Sequence, residues 1–290
     1  MNLNEKTRRA LLCFQKNELT ESTVYTKLAR IEKNPANQQI LLRIADEELG
    51  HYEILRKLTN ETPTAARWRI LKYYLLARIL GITFAIKLME DGERSAKENY
   101  AAYKDHPELQ QIARDEEAHE KVLIGMINEE RLEYMGSVVL GLNDALVEFT
   151  GALAGFTLAL SDSKLIALTG SITGIAAALS MASSEYLSTK SEGGEGKHPI
   201  KASVYTGIAY VFTVVALVAP FVFISNVLVA LGTMLCIALL IIALFNYYYA
   251  VARSESFRKR FTEMVILSFS VAAVSFLIGF ALREFVGVEV

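Results

Sequence analysis

The hydrophobic positions of the first 135 residues recur with the period of an α-helix, and no stretch alternates as a β-strand would. Proline interrupts this pattern at points where a new helix can begin, because proline is tolerated in the first turn of a helix. Gly81 is a candidate break inside the third and longest segment. The pattern predicts four helical segments, at about 4–33, 37–58, 64–105 and 107–134.

The second half of the chain consists of long apolar stretches separated by short polar connections. Each stretch is close to the ~20 residues that a helix needs to cross ~30 Å of hydrocarbon. Buried helices of a large soluble protein are the alternative, but all of their apolar surface would then need partners. The pattern predicts five membrane spans, at about 137–160, 165–189, 202–224, 226–250 and 263–285.

Charge divides the chain at the same place as hydropathy. Residues 1–135 contain 21 Lys and Arg and 22 Asp and Glu, whereas residues 136–290 contain 9 and 10. We therefore predict an all-α protein with a soluble four-helix domain at 1–135 and a five-helix transmembrane domain at 136–290. The net charge of −2 gives no indication of a nucleic-acid partner. Cys13 and Cys236 lack the spacing of a metal finger, and a disulfide between them is not expected.

The distribution of basic residues predicts how the chain lies in the lipid bilayer. The first residues, MNLNEKTRRALLCF, lack the apolar core of a signal peptide, so we expect the N-terminal domain in the cytoplasm. The inner connections then carry seven Lys and Arg residues, against two in the outer connections and the C-terminal tail. This excess follows the positive-inside rule and favours a cytoplasmic-membrane protein with its C-terminus outside.

Residues 64–80, TAARWRILKYYLLARIL, combine four basic residues with one tryptophan and two tyrosines. One interpretation is an amphipathic helix that lies in the membrane interface. The other is a crossover helix packed on the bundle, and we favour this second interpretation.

A pair of residues with metal-binding chemistry occurs twice in the first domain. Glu48 and His51 stand in DEELGH, and Glu116 and His119 stand in RDEEAHE. Residues three apart lie on the same face of a helix, so each pair can hold one cation with an oxygen and a nitrogen. One such pair arises by chance in a charged helix, but two pairs on alternate helices indicate a metal centre. Neighbouring acids such as Glu47 are expected on a solvated face.

The other two helices each supply a glutamate that precedes a tyrosine by seven residues, namely Glu18 with Tyr25 and Glu93 with Tyr100. Seven residues make two helical turns, so each tyrosine lies on the face of its glutamate and can hydrogen-bond a ligand across the bundle. Glu90 lies one turn before Glu93 and is a candidate additional or exchanging ligand. A Glu from each of two helices and a Glu-x-x-His from each of the other two is the pattern of di-iron carboxylate bundles.

With this set of motifs, residues 5–134 resemble the ferritin-like superfamily, especially the rubrerythrins and bacterioferritins. The resemblance implies a di-iron centre and an oxidation of Fe(II) by oxygen or peroxide. Carboxylate and imidazole ligands also suit Mn(II) and Zn(II), so ligand type alone does not select the metal. The Cys-x-x-Cys module that delivers electrons in rubrerythrins is absent from this sequence. By position, the resemblance assigns six ligands, which are Glu18, Glu48, His51, Glu93, Glu116 and His119.

Ionisable side chains also occur within the predicted spans, where each costs at least ~2.5–3.5 kcal/mol near the bilayer centre. The first span carries Asp144 and Glu148, and the second carries Met181 and Glu185, both pairs four residues apart. Small residues surround both pairs and permit close helix packing. Together the four side chains can line a path for a divalent cation. The alternatives are snorkelling to the inner interface for the carboxylates and simple core packing for Met181.

The strings GLNDALVE, SMASSEYLSTKSE and SFLIGFALREFVG resemble the vacuolar iron transporter family, over about residues 136–290. The resemblance implies a homodimer that moves Fe(II) or Mn(II) out of the cytosol in exchange for protons. It places Asp144 and Met181 on the ion path and Glu185 at its cytoplasmic mouth. Plant members carry a long Glu-rich insert after the second span, whereas the connection here is short. The bundle is expected to replace that insert, an order of domains that resembles membrane-bound ferritin, or erythrin–vacuolar iron transport, proteins.

The sequence thus predicts an Fe(II) exporter with a cytosolic di-iron domain that captures, senses or oxidises iron. One alternative is a membrane-anchored ferroxidase or peroxidase whose spans serve only as an anchor. Another is a manganese transporter whose bundle is a regulatory sensor. A mere anchor would not need Asp144 and Glu148 inside the membrane.

Overall fold

The computed structural model describes residues 5–90, 107–125, 134–192 and 198–286, and all regular secondary structure in these ranges is helical. The all-α prediction is confirmed for this part of the chain. The chain divides into two compact units, Met1–Glu129 and Glu130–Val290. Cys13 and Cys236 are both free thiols.

The helices of the first unit begin and end where local chemistry dictates. The side chain of Asn34 accepts the N–H of Ala36, and Pro35 occupies the first turn that follows this cap. Gly81 has φ of 105°, a conformation that glycine adopts readily, and it separates two helices as the sequence indicated. The helices described in this unit are α1 (Glu5–Ala29), α2 (Pro35–Thr59), α3 (Arg67–Leu80), α4 (82–90) and α5 (Pro107–Gly125).

The connection before α3 is longer than the sequence pattern predicted, because α3 begins at Arg67 rather than at residue 64. Hydrogen bonds to α1 hold this connection in a non-helical course. The N–H of Ala66 donates to Oγ1 of Thr20 at 2.9 Å, and Nε2 of Gln15 donates to the carbonyl of Glu61 at 2.9 Å. These long-range partners replace the hydrogen bonds that a longer helix would have made.

The core of the first unit forms where α1 and α2 pack along their lengths. Leu28 from α1 and Leu41 and Ile44 from α2 are completely buried there. Helix α3 packs on α1 and buries one face, formed by Ile70, Tyr73 and Ala77. This packing of α3 on α1 is what we expected of a crossover helix in this segment.

Among the described residues of the second unit, five helices are long and apolar enough to cross a membrane, the same number that the sequence predicted. Several of these helices extend beyond the apolar stretches predicted from the sequence. Their first or last turns carry charged residues such as Lys190, Lys201 and Arg258. A hydropathy pattern leaves such charged turns out of a predicted span, although they belong to the same helix. The helices are α6 (Met135–Leu160), α7 (Ser163–Glu192), α8 (Pro199–Phe223), α9 (Val227–Arg253) and α10 (Phe257–Val286).

Helix α6 is interrupted by one π-helical turn, Ala145–Phe149. A π turn has i→i+5 hydrogen bonds, adds one residue to a helical turn and is often found at functional sites. Here it follows Asp144 directly and contains Glu148. The interruption therefore falls on the two carboxylates that the sequence analysis singled out in this span.

Helices α6 and α10 approach each other through small residues. A Cβ added to Gly279 would meet the carbonyl oxygen of Gly155 closer than Cβ atoms are found in proteins. A Cβ on Gly155 would lie 3.1 Å from the carbonyl oxygen of Ser275. Glycine thus permits backbone-to-backbone contact between the first and fifth spans, as small residues do in membrane helix pairs.

Gly279→Val is expected to destabilise the second unit by about 1–3 kcal/mol or more, because backbone atoms cannot move aside as a flexible side chain can. The measurement is the temperature at which the detergent-solubilised full chain loses its monodisperse peak in size-exclusion chromatography. Gly232→Val is the matched control, since no atom lies within 4 Å of a Cβ added to Gly232 in α9. Equal losses in the two variants would contradict the close approach of α6 and α10.

Candidate metal sites

Three helices of the first unit direct acidic and imidazole side chains into one buried region. Helix α1 contributes Glu18, α2 contributes Glu48 and His51, and α5 contributes Glu116 and His119. None of the five is more than 5% exposed. The spacing of three residues in α2 and α5 places both members of each pair on the same side of their helix.

Four of these residues converge on a single point. One ligand atom from each of Glu18, Glu48, His51 and Glu116 lies within 4.8 Å of the others. Nδ1 of His51 lies 3.4 Å from Oε2 of Glu18, 3.3 Å from Oε2 of Glu48 and 3.6 Å from Oε1 of Glu116. Oxygen and imidazole ligands of this kind suit divalent cations such as Fe(II), Mn(II) and Zn(II). This cluster, called the acid–imidazole cluster below, can therefore bind a metal ion.

Glu48 connects the two histidines of the cluster. Its Oε2 faces His51, and its Oε1 lies 3.1 Å from Nδ1 of His119. The two imidazole rings are stacked with centroids 5.8 Å apart. A carboxylate with one oxygen toward each imidazole is suitably placed to contact two cations at once.

Two further acids contact the outer nitrogens of these imidazoles, and the sequence analysis missed both. Nε2 of His119 lies 2.6 Å from Oε2 of Glu47, and Nε2 of His51 lies 3.4 Å from Oδ2 of Asp115. Glu47 therefore does not simply lie on a solvated face. Each acid directly precedes a Glu of the cluster and contacts the histidine of the other helix. That repeated acidic doublet is the sequence signal for carboxylates that orient imidazole ligands.

The electrostatics of the cluster follow from burying several acids together. Burial raises the pKa of Glu18 to about 8, opposed by a hydrogen bond to His51 and reinforced by the charge of Glu48. Burial alone would lower the pKa of each histidine, but hydrogen bonds to carboxylates outweigh it. The pKa of His51 is raised, and that of His119 rises to about 9. Glu18 and the two histidines therefore tend to hold protons near neutral pH, and a metal ion would compete with these protons for the same atoms.

A fourth buried acid, Glu21, lies one turn after Glu18 and was also missed. Burial raises its pKa well above the usual value, and the charges of Glu18, Glu48 and Glu116 add to this shift. Nη2 of Arg69 lies 3.3 Å from Oε1 of Glu21, and the positive charge of the guanidinium opposes the rise in pKa. Nothing in the spacing of α1 pairs Glu21 with a residue 48 positions away, so only the packing of α3 on α1 reveals this ion pair.

Arg69→Gln is expected to destabilise the contact between α1 and α3 by about 1–3 kcal/mol, because it leaves Glu21 buried without its cation. The measurement is hydrogen–deuterium exchange of the backbone of both helices in the full chain, which should accelerate about tenfold. Adding Glu21→Gln should restore part of the protection, since the hydrogen bond from Arg69 to Asn17 stays lost. Arg56→Gln is the control, since its pair with Glu53 is exposed. Unchanged exchange in Arg69→Gln would contradict a stabilising ion pair.

Tyr25 hydrogen-bonds a glutamate of another helix. Its buried hydroxyl donates to Oε1 of Glu90 at 2.9 Å and so links α1 to α4. Glu90 itself is not among the four residues of the described chain whose ligand atoms converge. Glu93 and Tyr100 lie outside the described residues.

In the second unit, Asp144 is half-buried and Glu148 is exposed on the surface of the single chain. A tyrosine from α8, Tyr210, is completely buried and has its hydroxyl close to both carboxyl groups. Sequence reasoning missed Tyr210, although it is a lone phenol in the middle of an apolar helix. The π turn thus carries two acids beside a buried hydroxyl.

The other pair of candidate residues lies on α7. Oγ of Ser137 in α6 donates to Oε1 of Glu185 at 2.5 Å, and Oγ1 of Thr206 donates to the carbonyl of Ser137 at 2.9 Å. Met181, one turn before Glu185, is half-buried against the hydrophobic core of this unit. Three spans therefore meet around Glu185. Its partner Ser137 lies two helical turns before Asp144 along α6.

Residues 135–194 match the VIT family, the vacuolar iron transporters. The VIT match covers all of α6 and α7, and therefore Asp144, Glu148, Met181 and Glu185. Together with the five apolar helices, it indicates a multi-pass membrane protein that transports a metal such as iron or manganese. Comparison with curated proteins finds no match, and comparison with solved structures finds none.

Proposed function

We propose that the protein exports Fe(II) from the cytosol across the cytoplasmic membrane in exchange for protons, with Mn(II) as a second cargo. The observation that carries this proposal is the pair Asp144 and Glu148 at the π turn of the first span, inside the segment that matches the VIT family. Two acids in a span are costly unless they serve a polar path. The excess of Lys and Arg in alternate connections supports a cytoplasmic N-terminus.

Each side chain of the proposed path has a role that its chemistry supports. Glu185 receives the cation at the inner end, where Ser137 holds its carboxylate. Asp144 and Glu148 bind the cation deeper in the membrane, and each carboxylate takes up a proton when the metal leaves. The thioether of Met181 is a soft ligand and disfavours Mg²⁺ and Ca²⁺.

The exposure of Glu148 supports a homodimer. A carboxylate that faces lipid from the middle of a span would cost at least ~2.5 kcal/mol. A second copy that covers this face would remove the contact with lipid and could add its own carboxylates to the path. We therefore propose that two copies meet along α6.

The first unit is proposed to be a ferritin-like di-iron domain. Its ligands would be Glu18, Glu48, His51, Glu116 and His119, with Glu93 completing the set and Glu90 as an exchanging ligand. Iron bound there would supply redox chemistry with oxygen or peroxide. The chain itself holds the cation, orients both imidazoles through Glu47 and Asp115, and excludes water by burial. The unit would capture, sense or oxidise cytosolic iron before export.

The function is tested by metal flux in proteoliposomes that contain the purified full chain. Fe(II) or Mn(II) should enter the vesicles faster when the inside is acidic, and a pH dye should report protons leaving in parallel. Mg²⁺ should move poorly. Absence of flux for both metals under every pH gradient would refute transport.

A second candidate function is that of a membrane-anchored ferroxidase or peroxidase, which the buried acid–imidazole cluster favours. Oxygen or peroxide consumed on addition of Fe(II) would support it. An enzyme of this kind should keep full activity when Asp144 is replaced, whereas the transporter should not keep its flux.

A further inference from the structure

Helix α3 has a second face that the bundle does not cover. Trp68, Leu71, Leu75 and Ile79 are exposed, and their spacing of three or four residues places them in one stripe. Trp68 is 76% exposed and Ile79 is 67% exposed. The opposite side of the helix holds α3 on α1, so the apolar stripe must face outward.

The charges of α3 are all of one sign. Its four charged residues are basic, and Arg67–Leu80 contains no acid. On a helical wheel Lys72 borders the stripe on one side, whereas Arg67 and Arg78 border it on the other. An apolar stripe with aromatic content and cationic flanks is typical of a helix that lies in the interface of an anionic membrane.

A groove beside the stripe extends the same chemistry onto α1. It encloses about 280 Å³ and is lined by Lys27, Arg67, Ile70, Leu71 and Tyr74. Lys27 and Arg67 place two cations around it, and the ammonium of Lys27 lies 5.8 Å from the centre of the Tyr74 ring. A phosphate with a short apolar stem, such as a lipid headgroup, fits this combination of groups.

Chain length keeps the first unit within reach of a membrane. The first unit ends at Glu129 and the first span begins at Met135. Six residues of fully extended chain cover at most about 20 Å. A domain tethered this closely needs only weak affinity for lipid to bind it, because its effective concentration at the bilayer is high.

We propose that α3 docks onto the anionic lipid surface of the membrane that the five spans cross. Trp68, Leu71, Leu75 and Ile79 enter the interface between headgroups and acyl chains, and the flanking cations contact lipid phosphates. This inference rests on the five spans and is independent of metal transport. Docking would hold the acid–imidazole cluster at a fixed height above the membrane.

Trp68 is the sole tryptophan of the chain, so its fluorescence reports this helix directly in the full-length protein. The protein is placed in lipid nanodiscs of phosphatidylcholine alone or with phosphatidylglycerol. In the anionic discs the emission should shift to the blue, acrylamide quenching should decrease, and brominated phosphatidylcholine should quench the signal. Added salt should reverse these changes, because it screens exposed charges.

Lys72→Gln combined with Arg78→Gln should reduce the ratio of docked to undocked helix about 30-fold, since each cation near an anionic surface contributes about fivefold. Lys16→Gln with Lys57→Gln is the matched control, because it removes two exposed cations from α1 and α2. Circular dichroism checks that each variant remains helical.

Two results would overturn the proposal. If acrylamide quenches Trp68 equally in neutral and anionic discs, α3 does not dock on lipid. If Trp68 is protected in every disc and in detergent, and brominated lipid does not quench it, a second copy of the chain covers the stripe instead.

Discussion

Asp144→Asn should lower Fe(II) flux through the full-length protein by about 100-fold or more, since replacing even a residue that only orients a metal ligand typically costs about 10- to 100-fold. Asparagine has nearly the same size as aspartate, so the packing of α6 is preserved. It lacks the negative charge that stabilises a divalent cation in a low-dielectric environment. It also cannot take up a proton, and so it removes one of the groups that would couple metal exit to proton entry.

The flux is measured in proteoliposomes with an acidic interior, with a metal-sensitive dye inside. Glu284→Gln is the control, because it neutralises an exposed acid near the C-terminal end of α10. It should retain the wild-type rate. If Asp144→Asn also retains that rate, the carboxylate is not on the path, and the acids of α6 have only a structural role.

Periodicity and hydropathy predicted those parts of the fold that depend on local sequence. The five apolar helices follow from the length needed to cross hydrocarbon, and this required no knowledge of their partners. The pairs Glu48 with His51 and Glu116 with His119 share a helix face for the same local reason. The structure brings both pairs together with Glu18 in one buried region.

The features that the sequence analysis missed depend on contacts between helices. Glu21 and Arg69 meet only because α3 crosses α1, and Tyr210 reaches the acids of α6 from another span. The π turn Ala145–Phe149 differs from an α-helix by one residue, a change that the pattern of apolar positions cannot reveal over so short a length. No spacing rule along one helix supplies features of this kind.

Glu47 and Asp115 lie between features that local sequence predicts and features that depend on contacts between helices. Each lies beside a predicted ligand, yet each contacts the histidine of the opposite helix. The doublets Glu47-Glu48 and Asp115-Glu116 occupy equivalent positions in the two motifs. A twofold repeat in sequence thus becomes a reciprocal contact in space between α2 and α5.

Glu48→Gln should lower the affinity of the first unit for Fe(II) by about 100-fold or more, because Glu48 contacts both histidines of the cluster. The glutamine keeps the shape but offers one neutral oxygen in place of two charged ones. Metal bound per chain is measured by elemental analysis of the purified full-length protein. The Asp144→Asn background is used for every sample, so that the bound metal reports the first unit.

Glu53→Gln is the matched control for Glu48→Gln, since it removes an acid from the outer face of the same helix, where Glu53 pairs with Arg56. Its metal content should equal that of the unsubstituted background. Equal metal content in Glu48→Gln would contradict a metal centre at the acid–imidazole cluster. Flux of Glu48→Gln alone then distinguishes the roles of the unit: wild-type flux would mean an auxiliary domain, whereas lost flux would mean that export depends on metal bound there.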